Sequence, residues 1–237
     1  MITYTIYPQG DKAVTVNFGD YIHIDIHRKV ISFTKYIESH PFSGLLEVIP
    51  SFTSVTITYE PIMIEASATN NSPFDIVSNI LKSMLSELPE TIDHPAKTVT
   101  IPVCYGGDYG PDLQEVADYH QVTQQEIISI HSSQVYLVYM IGFAPGFPYL
   151  GGMSKEIATP RKATPRLKIP AGSVGIGGEQ TGVYPIESPG GWQIIGRTPL
   201  QLFQQDAKQP SLLQAGDLVR IQPITLQEFK SWGADGR

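Results

Sequence analysis

The chain has 237 residues, of which 41% are hydrophobic and 16% charged, and this length fits one large domain or two modest ones. Its net charge of −7 argues against nucleic acid or an anionic membrane surface as a partner, because both attract basic proteins. A single cysteine, Cys104, excludes an intrachain disulfide and a thiolate metal cluster.

The first residues, Met1 to Asp11, have neither the basic region nor the apolar region of a secretory signal. No later apolar run reaches the ~20 residues that a membrane span needs. We therefore expect a cytoplasmic protein that does not enter a membrane.

Residues 1–90 show the periodicity of a small α+β domain. Strands are expected where apolar and polar residues alternate, and the second helix is indicated most clearly, with Ser72 as N-cap, Pro73 at the first helical position and Asp75 in the first turn. The order ββαββα predicts a compact two-layer sandwich. The expected strands are 2–7, 13–18, 45–49 and 55–59, and the expected helices are 22–39 and 73–88.

Residues 91–97 are polar and aperiodic, which indicates a linker to a second domain at 98–237. That domain opens with a strand at 98–103, followed by a short helix after Gly110 and another that begins at the capping box Thr123–Glu126. Many short strands separated by Gly and Pro turns then predict a small, mainly-β barrel or sandwich. The later strands are expected at 134–141, 173–177, 181–184, 193–196 and 218–223.

Gly and Pro are concentrated in one stretch, Gly142 to Pro199. They fix the backbone in many tight turns and so favour a rigid pocket built from loops. The stretch carries six basic and three acidic side chains, a net charge of +3 in a chain whose total is −7. Such a local positive region indicates a specific site for an anion.

Several common functional motifs are absent from the sequence. The Gly-rich run 172–178 lacks the Lys and the spacing of a phosphate-binding loop, and no Gly-x-Ser-x-Gly nucleophile turn occurs. No two His have a metal-ligand spacing supported by carboxylates, so we expect no metal site.

Three arginines are the strongest candidates for the anion site. Arg161 and Arg166 each follow a Pro and Arg197 follows a Gly, and a guanidinium binds carboxylate or phosphoryl oxygens through two parallel hydrogen bonds. His131 is the fourth candidate for a catalytic role. It is expected at the C-terminus of a helix, where the helix dipole favours the charged imidazole, and it could act as an acid, a base or only a cap.

Neutral side chains would complete the pocket. Gln180 and Tyr184 can add hydrogen bonds to a substrate, and Phe147 and Trp192 can supply apolar walls. Phe147 and Trp192 each also fit an ordinary position in a core.

The motifs of this stretch resemble those of the KipI / PxpB family, the B subunit of prokaryotic ATP-dependent 5-oxoprolinase, formerly called allophanate hydrolase subunit 1. The resemblance rests on Gly-Phe-x-Pro-Gly-Phe-Pro-Tyr-Leu-Gly-Gly, on Pro-Ala-Gly-Ser-Val-Gly-Ile-Gly-Gly-x-Gln-Thr-Gly-Val-Tyr-Pro and on Ser-Pro-Gly-Gly-Trp-x-Ile-Ile-Gly-Arg-Thr-Pro. It extends from about Ile101 to Asp217, and the amino-terminal Tyr-Pro-Gln-Gly-Asp-Lys-Ala-Val fits it as well.

The resemblance implies a cyclophilin-like β-barrel in the second half and a polypeptide that is catalytic only with a C and an A subunit. The complex would open 5-oxo-L-proline to L-glutamate with hydrolysis of ATP. The ATP would be bound by the complex and not necessarily by this chain. The arginine pocket would suit the substrate carboxylate or a phosphorylated lactam oxygen. One branch of the family also inhibits autophosphorylation of a sporulation-type sensor histidine kinase. That role stays open for this chain, and one protein could have both roles. A prolyl isomerase would follow from the barrel by fold analogy alone.

Overall fold

The computed structural model describes residues 3–64, 71–88 and 96–232, and the chain divides into two compact units, Met1–Pro95 and Ala96–Arg237. Residues 91–95 of the expected linker lie outside the described residues. None of the helices in the described part of the chain combines the length and the apolar character needed to cross a membrane.

The described residues of the first unit form a four-stranded antiparallel sheet in the order β1-β2-β4-β3 and two α-helices, in the predicted sequence order. Its core forms where alternate residues of the central strands, such as Val14, Val16 and Ile57, meet the apolar faces of the helices. The second helix begins as predicted, with a capping box between Ser72 and Asp75. The elements are β1 (Thr5–Pro8), β2 (Ala13–Asn17), α1 (Ile24–Ser39), β3 (Leu45–Pro50), β4 (Ser54–Tyr59) and α2 (Pro73–Glu87).

The second unit is a closed barrel of seven strands, in the order β10-β7-β6-β13-β5-β12-β9. The prediction of a mainly-β barrel is therefore confirmed. Strands β13 and β5 pair in parallel, and the remaining pairs are antiparallel. Strands β8 and β11 form a separate two-stranded sheet. The strands are β5 (Thr98–Tyr105), β6 (Val135–Ile141), β7 (Pro148–Gly151), β8 (Arg166–Ile169), β9 (Ser173–Gly177), β10 (Gln180–Val183), β11 (Ser188–Gly190), β12 (Gln193–Arg197) and β13 (Leu218–Ile224).

In the described part of the second unit, three α-helices accompany the barrel: α3 (Leu113–His120), α4 (Gln124–Ser133) and α5 (Leu226–Ser231). Helix α3 buries Leu113, Val116 and Ala117 against the barrel core, as its spacing predicts. Helix α4 begins at the predicted capping box, in which Thr123 and Glu126 exchange hydrogen bonds. The sequence patterns did not predict α5.

Candidate functional site

A cavity of about 620 Å³ opens in the second unit beside the C-terminal end of β12. Its walls are mostly apolar, and two charged side chains line it: Arg197, and Glu187, whose carboxylate lies 3.0 Å from the ammonium group of Lys168. The residues that shape the walls are Pro185, Ile186, Leu200, Phe203 and Phe229. Because the carboxylate of Glu187 is paired with Lys168, the guanidinium of Arg197 beside the apolar wall suits a small ligand that carries an anionic group.

The guanidinium of Arg197 is hydrogen-bonded through Nε, and its two terminal nitrogens are free of partners among the residues that the structure describes. Its Nε donates a hydrogen bond of 2.8 Å to the carbonyl of Ala171, and its guanidinium carbon lies 6.0 Å from the ring centroid of Tyr109. Within the described ranges of the chain, neither terminal amino group of Arg197 has a hydrogen-bond or ion-pair partner. Those two nitrogens are therefore available to bind a carboxylate.

The backbone beside Arg197 depends on a glycine. Gly172 has φ +82°, and a Cβ there would lie 2.4 Å from the carbonyl oxygen of Thr198. The Gly172 amide donates to the carbonyl of Tyr184 at 2.7 Å, and its carbonyl accepts from the Thr198 amide at 2.9 Å. Only glycine allows this close approach of two loops at the cavity wall.

Arg166 is engaged in an internal ion pair. Its two terminal nitrogens donate to the carboxylate of Asp112 at 2.8 and 2.6 Å, and Lys162 lies 3.0 Å from the same carboxylate. Asp112 also accepts from the amide of Ile194 at 2.6 Å. Burial of Asp112 opposes its charge, but the hydrogen bonds from Arg166, Ile194 and Lys162 outweigh that effect and hold its pKa below the ordinary value.

Phe147, Tyr184 and Trp192 form a small core of their own with Ile169 and Ile194. The three aromatic rings meet edge to face at centroid distances of 5.3 to 6.4 Å. Each of these residues is at most 5% exposed. They have little free surface to offer a substrate. The structure therefore favours the core position that the sequence also allowed for Phe147 and Trp192, and it places Tyr184, expected to bind substrate, in the same core.

Two side chains lie on the outer surface of this aromatic core. The Arg161 guanidinium carbon stands 5.8 Å from the Trp192 ring centroid. Phe143 is 62% exposed and has φ +68°, and the amide of Ala144 donates to the carbonyl of Gly142 across it at 2.8 Å. A bulky residue at the centre of such a γ-turn is strained, and strain of this kind is concentrated at functional surfaces.

His131 is fully buried inside the barrel unit, and burial lowers its pKa from 6.5 to about 3. The expectation that the helix dipole favours the charged imidazole is therefore wrong, because desolvation is the larger effect. Thr181 donates its hydroxyl proton to Gly175, so it accepts from His131 Nε2 at 2.9 Å, and His131 Nδ1 accepts from the Tyr105 hydroxyl at 2.6 Å. This neutral ring lies apart from the Arg197 cavity.

The predicted site residues therefore do not share one pocket. Arg161 and Arg166 lie near the aromatic core, whereas Arg197 is at the far end of β12 from Trp192, about 16 Å away along an extended strand. Gln180 begins β10 opposite Gly177 and does not line the cavity.

Sequence reasoning missed three residues of these two regions: Asp112, Tyr109 and Phe229. Asp112 follows Gly-Pro and resembles the start of a helix, but it makes no side-chain capping bond and binds Arg166 from 54 positions away. The sequence offers one signal for the pairing of Asp112 with Arg166: an acidic residue at the expected start of a helix and a basic residue in a Pro-rich segment.

Comparison with known proteins identifies relatives over almost the whole chain. A family model described as carboxyltransferase domain, subdomain C and D, matches residues 4–213. The B subunit of 5-oxoprolinase from Bacillus subtilis strain 168 is 47% identical over 98% of this chain and 97% of its own length. A conserved uncharacterized protein of Pyrococcus horikoshii, whose crystal structure is known, is 45% identical, with 95% of this chain and 100% of that chain covered and a TM-score of 0.55. The crystal structure of TTHA0988 matches 90% of this chain at 30% identity with a TM-score of 0.78, and this chain spans 40% of that longer one.

Proposed function

The chain belongs to the family of 5-oxoprolinase B subunits, and we propose that it is the B subunit of an ATP-dependent 5-oxoprolinase, catalytic only together with A and C subunits. The complex would open 5-oxo-L-proline to L-glutamate while hydrolysing ATP. The observation that carries this proposal is the 47% identity over nearly the full length of both chains, because a match of that extent covers both units of the fold.

The Arg197 cavity is the place in this chain that best fits the acid substrate. 5-Oxoproline is a small ring with one carboxylate. The two unpartnered nitrogens of Arg197 match a carboxylate, and the walls at Ile186 and Phe203 match the apolar edge of the ring. We therefore assign substrate binding to Arg197, and we assign Arg166 to holding the fold through Asp112.

The test is reconstitution of the complex from this chain and its A and C partners, with glutamate formation as the readout. We expect Arg197→Gln to raise the KM for 5-oxoproline by about tenfold or more, since a charge-assisted pair is lost. Arg220→Gln is the matched control, because Arg220 is exposed on β13 and lies outside the cavity. Equal KM values for Arg197→Gln and Arg220→Gln would show that the substrate does not bind at the Arg197 cavity.

A second candidate function is inhibition of a sensor histidine kinase. The observation that favours it is the presence of two large and strongly exposed apolar side chains in the second unit, Phe143 at 62% and Leu167 at 87% exposure. The test is kinase autophosphorylation with the wild-type chain and with Phe143→Ser. Inhibition that persists in Arg197→Gln but is lost in Phe143→Ser would support this function, and no inhibition by the wild type would exclude it.

A further inference from the structure

Two aromatic side chains behind Arg197 form a stack with its guanidinium. The Tyr109 ring centroid lies 6.0 Å from the Arg197 guanidinium carbon and 4.3 Å from the ring centroid of Phe229. Phe229 also forms part of the cavity wall. A cation held against an aromatic face in this way loses freedom to rotate away.

We propose that Tyr109 and Phe229 position Arg197 for binding a carboxylate, and that Phe229 also limits the size of the apolar group beside it. The inference deepens the proposed function and rests on it for the identity of the substrate. Ala171 fixes only Nε, so rotation about that one hydrogen bond would still move the two terminal nitrogens. The Tyr109 ring restricts this motion because the guanidinium lies over its face.

Phe229 makes the last helix a component of the site. Helix α5 has six residues, begins at a capping box between Thr225 and Glu228, and buries none of its side chains fully. The contact between the rings of Phe229 and Tyr109 is one link between α5 and the barrel unit, and α5 also contacts β5. A ligand that fills the cavity would press against Phe229, so binding and docking of α5 should favour one another.

This part of the site lies beyond the segment that the family model matches, although the alignment with the Bacillus subtilis relative covers 98% of the chain. The family match ends at residue 213, whereas α5 begins at Leu226. The ligand class that the stack and the cavity select is a small carboxylate with a compact apolar body. A second negative charge on the ligand would stay unpaired, because among the described residues no second basic side chain lines the cavity and the carboxylate of Glu187, which does line it, would repel such a charge.

The first test uses the isolated full chain and the NMR signal of the Arg197 Nε–H group, assigned by its loss in Arg197→Lys. The Tyr109 ring current should shift this signal. We expect Tyr109→Leu to move it toward the position of an exposed arginine, Tyr109→Phe to preserve it, and Tyr119→Leu, which removes an exposed ring from α3, to leave it unchanged. An Arg197 signal that is identical in Tyr109→Leu and wild type would overturn the inference.

The second test uses the reconstituted complex. Tyr109→Leu and Phe229→Ala should each raise the KM for 5-oxoproline by about two- to fivefold with kcat unchanged, and Tyr109→Phe should restore the wild-type KM. A fall in kcat without a change in KM would contradict a positioning role. If the complex makes no glutamate at all, the proposed function fails, whereas the NMR result still decides the inference.

Discussion

Acid should weaken the second unit through one buried histidine. The His131 imidazole is neutral in the folded chain, where its pKa is lowered from 6.5 to about 3 by burial. The unfolded chain takes up a proton on this ring below about pH 6.5, and the folded chain does so only near pH 3, so the unfolded state binds more protons between these values. The neutral His131 ring therefore does not reduce the free energy of unfolding of the second unit above about pH 6.5, but that free energy falls as the pH drops from 6.5 toward 3.

The size of the effect follows from the separation of the two pKa values. Between pH 7.5 and pH 5 the His131 contribution should lower the free energy of unfolding by about 2 kcal/mol, since each pKa unit corresponds to about 1.4 kcal/mol. Solvent screening does not reduce this contribution, because the His131 ring has no exposed surface. The substitution His131→Gln removes the titrating group, so the difference between the two proteins isolates this contribution.

The assay is urea unfolding followed by tryptophan fluorescence at pH 7.5 and pH 5. Both tryptophans, Trp192 and Trp232, belong to the second unit, so the signal reports that unit alone. The wild type should lose about 2 kcal/mol more than His131→Gln over this pH interval. The same loss in both proteins would refute the assignment of a buried neutral imidazole.

Two further substitutions test the framework around the candidate site by the same unfolding assay. Asp112→Asn should lower the free energy of unfolding by about 3 kcal/mol, because Arg166 and Lys162 lose the carboxylate that they share, and a change below about 0.5 kcal/mol would contradict the buried pairing. Gly172→Ala should cost at least about 2 kcal/mol more than Gly178→Ala. Both glycines have positive φ, but only at Gly172 would a Cβ meet a backbone atom, so equal costs would exclude the close approach.

Local chemistry explains most of what the sequence predicted correctly. Helix α2 begins at Ser72 because the capping residue, the following Pro and the acidic first turn all favour the same start. Strand β12 was expected at 193–196 and occupies Gln193–Arg197, since its apolar run is bounded by Gly-rich turns. Each of these signals lies within a few residues of the element that it predicts.

The arrangement of the arginines could not be read in the same way. Three arginines in one Gly- and Pro-rich stretch suggested one pocket, but the pairing of Arg166 with Asp112 and the stacking of Arg197 on Tyr109 join distant parts of the chain. Burial also lowers the pKa of His131 and keeps its ring neutral. That burial depends on the closed barrel rather than on the helix that carries the residue. Helix α5 is too short to produce a periodic pattern.

The central claim is that this chain is a necessary component of a 5-oxoprolinase, and reconstitution tests it most directly. The chain, its A and C partners, 5-oxo-L-proline and ATP are mixed, and glutamate is measured with and without the chain. We predict ATP-dependent glutamate formation that requires the chain and that Arg197→Gln weakens through KM. An assembled complex that forms no glutamate, or forms it equally well without this chain, would contradict the claim.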